Sequence, residues 1–202
     1  MEKRFDARMI AQMALFIAII LVMKLTGLSS IPVGPLNMTL TMIPIAIGAM
    51  LLGPFAGGVL GMFYGFTSLY DAVTGASVMT GIFFQISPIN TIILCVVTRT
   101  AVGYLTGLLF KLYHRADRRH TVCYFLGGFT APFLNTLLFM GYIVLVFYRT
   151  EYIQQRVATL GASGPLMFII LTVGVQGLVE MLTGTIVAGA VAKGVAHALK
   201  KD

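Results

Sequence analysis

A single arginine, Arg99, lies in the middle of a long apolar stretch at 87–112. At about 1.5 Å per residue, a helix over this stretch would cross the roughly 30 Å of hydrocarbon in a bilayer. An arginine at the centre of such a helix costs roughly 2.5–3.5 kcal/mol on insertion scales. That cost must be offset either by a carboxylate on a neighbouring helix or by an anionic ligand, and the sequence leaves both explanations open.

Other polar residues lie within apolar stretches and could complete a binding cavity. Arg99 can hold a carboxylate through its planar fork, and Asn135 can donate to and accept from an amide or hydroxyl. Glu180 can accept a hydrogen bond from a ligand hydroxyl, or it can form a purely structural ion pair with Arg99. The candidate substrate-binding residues are Arg99, Asn135, Glu180, Tyr64, Asn90, Asn37 and Gln176.

Catalytic and metal-binding chemistry finds little support in the sequence. The three histidines, His114, His120 and His197, fall near the ends of the predicted spans, away from Glu180. There is no HExxH motif, no close pair of acidic residues within a span, no Ser-His arrangement and no GxxxxGK[ST] phosphate loop. We therefore predict no catalytic residue, no metal and no cofactor in this chain. A small intramembrane enzyme and a solitary carrier or channel remain the alternatives from other classes.

The composition indicates which kind of protein must position these residues. The chain is 58% hydrophobic and only 10% charged, whereas soluble domains carry about a quarter charged residues. This is the composition of an integral membrane protein. The net charge of +7 does not indicate nucleic-acid binding, because the basic residues cluster beside apolar spans and form no helical stripe.

Hydropathy predicts an all-α membrane protein with a single membrane domain over residues 1–202. The six predicted spans are 7–25, 38–52, 55–70, 87–112, 122–147 and 165–197, and we predict polar or Gly/Pro-rich loops at 27–37, 71–85 and 149–163. Ten basic residues fall on the side of both termini and three on the other side. The positive-inside rule then predicts cytoplasmic termini. The three loops would face outward, where a binding lid would lie.

Small residues repeat at helical spacing in three of the predicted spans, which allows helix backbones to approach closely. Gly57, Gly61 and Gly65 do so in the third span, and the series from Gly184 through Ala188 and Ala192 to Ala196 does so in the sixth. We expect both sets to pack helices inside the protein. The first span carries Ala14 and Ala18, with Ala7 and Ala11 before them, and spacing alone does not assign these alanines to an internal or an external contact.

The chain resembles the substrate-binding S components of energy-coupling factor (ECF) vitamin transporters. The resemblance is carried by six spans with a short second span, by the stretch at 31–69, by APFLNTLLFMG at 131–141 and by GLVE at 177–180. It is closest to the pantothenate type, in which an arginine of the fourth span and an asparagine of the fifth contact the ligand. Those residues correspond here to Arg99 and Asn135.

The resemblance implies a non-enzymatic role in the bacterial plasma membrane. An S component binds a vitamin from outside, associates with a membrane coupling subunit and two cytoplasmic ATPases, and is thought to topple in the membrane to deliver the vitamin inward. ATP is used by those partners. An AxxxA motif on the first span docks on the coupling subunit, a role that falls here to Ala14 and Ala18, with Ala7 and Ala11 as an offset candidate. Another vitamin, such as cobalamin or a pyridoxine-like precursor, is the alternative to pantothenate.

Overall fold

The computed structural model describes residues 7–33, 36–117 and 120–199, and this part of the chain is helical except for one short hairpin. The helices are α1 (Ala7–Leu25), α2 (Met42–Leu52), α3 (Pro54–Thr74), α4 (Val78–Ile86), α5 (Pro88–Ala116), α6 (Val122–Phe147), α7 (Glu151–Leu160) and α8 (Pro165–Ala198). The hairpin between α1 and α2 pairs β1 (Ser30–Val33) with β2 (Leu36–Thr39) antiparallel.

Four of the described helices, α1, α5, α6 and α8, are long and apolar enough to cross a membrane, judged by length and composition. Helix α2 is strongly apolar but has only 11 residues, which at 1.5 Å per residue covers about half of the hydrocarbon core. Helix α3 has 21 residues and is long enough, but its glycines and polar residues make it less apolar than those four.

Helices α3 and α5 pack backbone to backbone through the glycines of the third span. A Cβ atom added at Gly57 would lie 2.3 Å from the carbonyl oxygen of Gly103, and one added at Gly61 would lie 2.2 Å from that of Arg99. A Cβ atom added at Gly65 would lie 2.7 Å from the carbonyl oxygen of Cys95. Residue numbers in these contacts increase along α3 while they decrease along α5, so the two helices are antiparallel. The expected internal packing of these glycines is confirmed.

Helices α6 and α8 make a second close antiparallel contact. A Cβ atom on Gly128 would lie 2.4 Å from the carbonyl oxygen of Gly184. Beyond it, Lys193 Nζ donates a hydrogen bond to Thr121 Oγ1 at 2.8 Å. The small residues that follow Gly184 are buried in a core cluster with α2 and α6, which confirms their expected internal role; they are Ala188, Ala192 and Ala196.

Three segments expected to be loops contain regular structure. Residues 27–37 include most of the hairpin, 71–85 include most of α4, and 149–163 include α7. The two short helices are anchored by a few buried side chains. Phe83 of α4 stacks on Phe147 of α6 with ring centroids 4.3 Å apart, and Ile153 of α7 is buried in the same cluster. A hydropathy pattern read for long spans misses such helices because α4 has only nine residues and α7 is mostly polar.

Two long helices depart from regular α geometry near the residues singled out above. In α5 the segment Ile93–Val97 is a π-helical turn that ends just before Thr98 and Arg99, and such turns are frequent at functional sites. In α8 Gly174 has φ 22° and ψ −118°, which breaks the helix between Val173 and Gln176. Only glycine adopts this positive φ without steric cost.

Candidate functional site

A cavity of about 210 Å³ lies between α3, α5, α6 and α8, with β2 and α4 at its edge. Five of the seven predicted binding residues line it: Tyr64, Arg99, Asn135, Gln176 and Glu180. They come from four different helices, so the fold brings together side chains up to 116 positions apart between Tyr64 and Glu180. A cavity with an apolar wall and a few convergent polar groups is the usual form of a small-molecule site.

Arg99 is buried at the cavity wall, with 7% of its surface exposed. Its guanidinium carbon lies 4.7 Å from the centre of the Tyr64 ring and 4.5 Å from that of the Phe139 ring. Both distances are within the range of cation–π attraction. Arg99 Nη1 donates a long hydrogen bond of 3.4 Å to the Cys95 carbonyl in the π-helical turn, while Nε is buried without a hydrogen-bond partner among the described residues.

Glu180 does not form the direct ion pair with Arg99 that the sequence left open. Its Oε1 accepts a hydrogen bond from the backbone N–H of Thr39 at 2.9 Å and another from Gln176 Nε2 at 3.1 Å. Among the described residues, the one ion pair with a nitrogen–oxygen distance within 4.0 Å joins Lys24 to Asp71. Arg99 therefore has no carboxylate within 4.0 Å in this part of the chain, although Glu180 lines the same cavity.

Two further buried polar atoms belong to residues that line the cavity. Asn135 Oδ1 and Thr172 Oγ1 are both buried, and neither has a hydrogen-bond partner in the residues that the structure describes. A buried polar atom left without a partner costs about 1–3 kcal/mol. A polar ligand that satisfies these atoms together with Arg99 Nε would recover part of that cost.

The hairpin contributes to the site through Thr39, which lines the cavity and is tied to α8 by its backbone bond to Glu180. Sequence reasoning missed Thr39, and no pattern marked it. It also missed Phe139 and Thr172, which helical spacing could have found. Phe139 follows Asn135 by four residues, and Thr172 precedes Gln176 by four, so each lies on the same helix face as its polar neighbour.

Two of the predicted binding residues are not among those that line the cavity. Asn90, near the start of α5, donates from Nδ2 to Ser87 Oγ at 3.0 Å and accepts a hydrogen bond from the Tyr142 hydroxyl at 3.1 Å. Its amide thus links α5 to the end of α6. Asn37 pairs with Pro32 in the hairpin, and its side chain lies outside the described part of the structure.

A family model for the substrate-specific component of ECF transporters matches residues 8–192, which is most of the chain. The chain belongs to this family. No match was found among curated protein sequences. S components bind a small molecule and work with a membrane coupling subunit and ATPases, and the family is not an enzyme family. Together with the four strongly apolar helices, this makes the chain a multi-pass membrane protein.

In this S component the alanines of α1 are exposed. Ala7, Ala11, Ala14 and Ala18 lie within one narrow strip of the helix surface, while Met13 and Ile20 bury the other side of α1 against the protein. The described residues contain no group of three or more His, Cys, Asp or Glu side chains that could hold a metal ion.

Proposed function

We propose that this S component binds pantothenate in the cavity around Arg99. The observation that carries the proposal is a buried arginine that forms no direct ion pair among the described residues, in a cavity that Glu180 also lines. An arginine in this state favours an anionic ligand, because its planar fork can hold a carboxylate through two charge-assisted hydrogen bonds.

Pantothenate has the groups that the other cavity residues can use. Its carboxylate would contact Arg99, and its amide would donate to the unpartnered Asn135 Oδ1. Both hydrogen bonds described for Glu180 go to Oε1, so Oε2 is available to accept from one of the ligand's two hydroxyls. The carbon that bears two methyl groups would pack against apolar side chains such as Met140.

Size and charge weigh against the other vitamins considered. The cavity of about 210 Å³ is smaller than the roughly 300–1,000 Å³ typical for drug-sized ligands, so a corrin ring would not fit without a large rearrangement. A pyridoxine-like compound without a carboxylate would leave Arg99 unpaired.

The remaining proposed contacts with the ligand come from Tyr64 and Gln176. Asn90 and Asn37 stay as candidates without a described contact to the cavity.

The proposed transport cycle follows the family resemblance. The chain would form one membrane domain of six spans with both termini in the bacterial cytoplasm, and α2 and α3 would complete the set. The hairpin would cover the cavity from the outside, which its bond from Thr39 to Glu180 supports. After binding, the protein would dock through Ala14 and Ala18 on the coupling subunit, topple, and release the vitamin inward while the two partner ATPases hydrolyse ATP. A solitary carrier or a small intramembrane enzyme would need none of these partners.

Isothermal titration of the purified full chain tests the ligand. We expect saturable binding of pantothenate at micromolar concentration or below, and no binding of cobalamin or pyridoxine at the same concentrations. Clear binding of another vitamin with no response to pantothenate would overturn the assignment and leave the family membership untouched.

A further inference from the structure

A second cavity, of about 370 Å³, lies at the opposite end of the bundle from the hairpin, where α2 ends and α6 begins. Its floor is apolar and includes Met50, Phe110 and Ala196, of which Phe110 and Ala196 are 6% and 1% exposed. Its rim carries Lys111 and Arg115, which are exposed and lie four residues apart on one face of α5. The cavity thus combines an apolar base with a cationic edge.

The cationic rim is not neutralised by the described part of the protein. No carboxylate there lies within 4.0 Å of Lys111 or Arg115. Asp117, the acidic residue closest to them in sequence, accepts hydrogen bonds from the backbone N–H groups of Thr121 and Cys123, both at 2.9 Å, at the start of α6. These two bonds from Asp117 support the start of α6.

Histidine side chains extend the rim on one side. His114 lines the cavity beside Lys111 and Arg115, and the His120 ring stacks on it with centroids 4.2 Å apart. Within the described part of the chain, His120 Nδ1 is buried and has no hydrogen-bond partner. Tyr124, only 3% exposed, closes the wall on the α6 side. The cavity surface therefore carries Lys111, His114 and Arg115 together on one side.

We propose that this cavity binds the phosphate headgroup of an anionic phospholipid. The rim lies where the apolar helix α5 ends and the apolar helix α6 begins. The end of a membrane helix lies at the depth of the lipid headgroups. Basic pockets between transmembrane helices at such an interface bind anionic headgroups. The apolar floor favours a lipid over a free anion, because it can accept the glycerol and the first acyl carbons below the phosphate. The site is separate from the cavity around Arg99.

Native mass spectrometry of the full chain in neutral detergent tests this proposal. The protein is offered phosphatidylglycerol and phosphatidylcholine with identical acyl chains, and the retained lipid is counted. We expect preferential retention of one phosphatidylglycerol per chain. Each rim cation should contribute about fivefold, so Lys111→Gln with Arg115→Gln should lower the preference about 25-fold. Both side chains are exposed, so the double variant is expected to fold.

The matched control is Arg149→Gln with Arg156→Gln, which removes two exposed arginines at the other end of the bundle and should leave the preference unchanged. Equal retention of the two lipids by the unaltered protein, or an equal loss in the control, would overturn the proposal. Displacement of phosphatidylglycerol by millimolar inorganic phosphate would overturn the lipid assignment in favour of a free anion. If the unaltered chain shows no lipid preference and the Lys111/Arg115 double variant no longer binds the coupling subunit, the rim would instead be a binding site for an acidic protein segment.

Discussion

The rings of Tyr64 and Phe139 flank the guanidinium of Arg99 at 4.7 and 4.5 Å. They orient the cation without neutralising it, and one hydrogen bond to the Cys95 carbonyl leaves most of its donors available. A carboxylate paired directly with Arg99 would have offset its charge without a ligand. Glu180 instead accepts hydrogen bonds from Thr39 and Gln176. At the scale of the residue, this favours the explanation in which a ligand offsets the charge of Arg99.

A double-mutant cycle between Arg99 and the ligand carboxylate tests this role. We expect Arg99→Gln to weaken pantothenate binding by about 2–3 kcal/mol, the usual loss for one partner of a buried charge-assisted contact. The alcohol analogue, in which a hydroxymethyl group replaces the carboxylate, should bind the unaltered protein weakly and should lose little further affinity in Arg99→Gln. Calorimetry on the four combinations gives the coupling. Equal losses for both ligands would leave Arg99 with a structural role only.

The element that fixes Arg99 in space is the pair of α3 and α5. Gly61 touches the Arg99 carbonyl so closely that a Cβ atom would lie 2.2 Å from it. The helices can therefore approach only as closely as this glycine allows. The same contact sets where the side chain of Arg99 leaves α5, so the position of this proposed ligand contact depends on how α3 and α5 pack.

We expect Gly61→Ala to push α3 away from α5 and to destabilise the protein by about 1–3 kcal/mol, the usual cost of overpacking, with weaker ligand binding as a consequence. The matched control is Gly58→Ala on the same helix, where the new Cβ atom would meet the Tyr104 Cβ at 3.5 Å, an ordinary contact. Thermal unfolding in detergent measures the first effect and calorimetry the second. A Gly61→Ala variant as stable as Gly58→Ala would contradict the close packing of α3 and α5.

Hydropathy identified the long helices well because the membrane environment sets their apolar composition. The helices at Ala7–Leu25 and Val122–Phe147 have the ranges drawn from the sequence. Buried polar residues stand out in such helices, and so Arg99, Asn135 and Glu180 were identifiable. The attachment of the hairpin to α8 was not, because the bond from Thr39 to Glu180 joins residues 141 positions apart. The break at Gly174 was not identified either, and hydropathy carries no signal for it.

At the scale of the whole molecule, one side of α1 faces outward and carries small side chains, including Ala14 and Ala18. Small residues let another membrane helix approach closely, and the family works with a membrane coupling subunit. The cavity around Arg99 does not include any residue of α1. The proposed docking surface and the proposed ligand site are therefore separate, and we expect that each can be disrupted alone.

We expect Ala14→Trp or Ala18→Trp to abolish uptake of labelled pantothenate by proteoliposomes that contain the whole complex, while calorimetry shows unchanged ligand binding. Ile19→Trp is the control, since it places the same side chain about 100° around the helix from Ala18, at an exposed position. Loss of binding in the Ala14 or Ala18 variants would place these alanines in the internal packing of the S component.

The hydrogen bond from the hairpin to Glu180 has a consequence for how such a site can diversify. Its donor is the backbone N–H of Thr39, which every residue except proline possesses. The side chain at position 39 meanwhile contributes to the cavity wall. Selection can therefore exchange this side chain to suit a new substrate, while the main chain keeps the hairpin attached to α8. Substrate specificity and the attachment of the hairpin can then evolve independently at this one position.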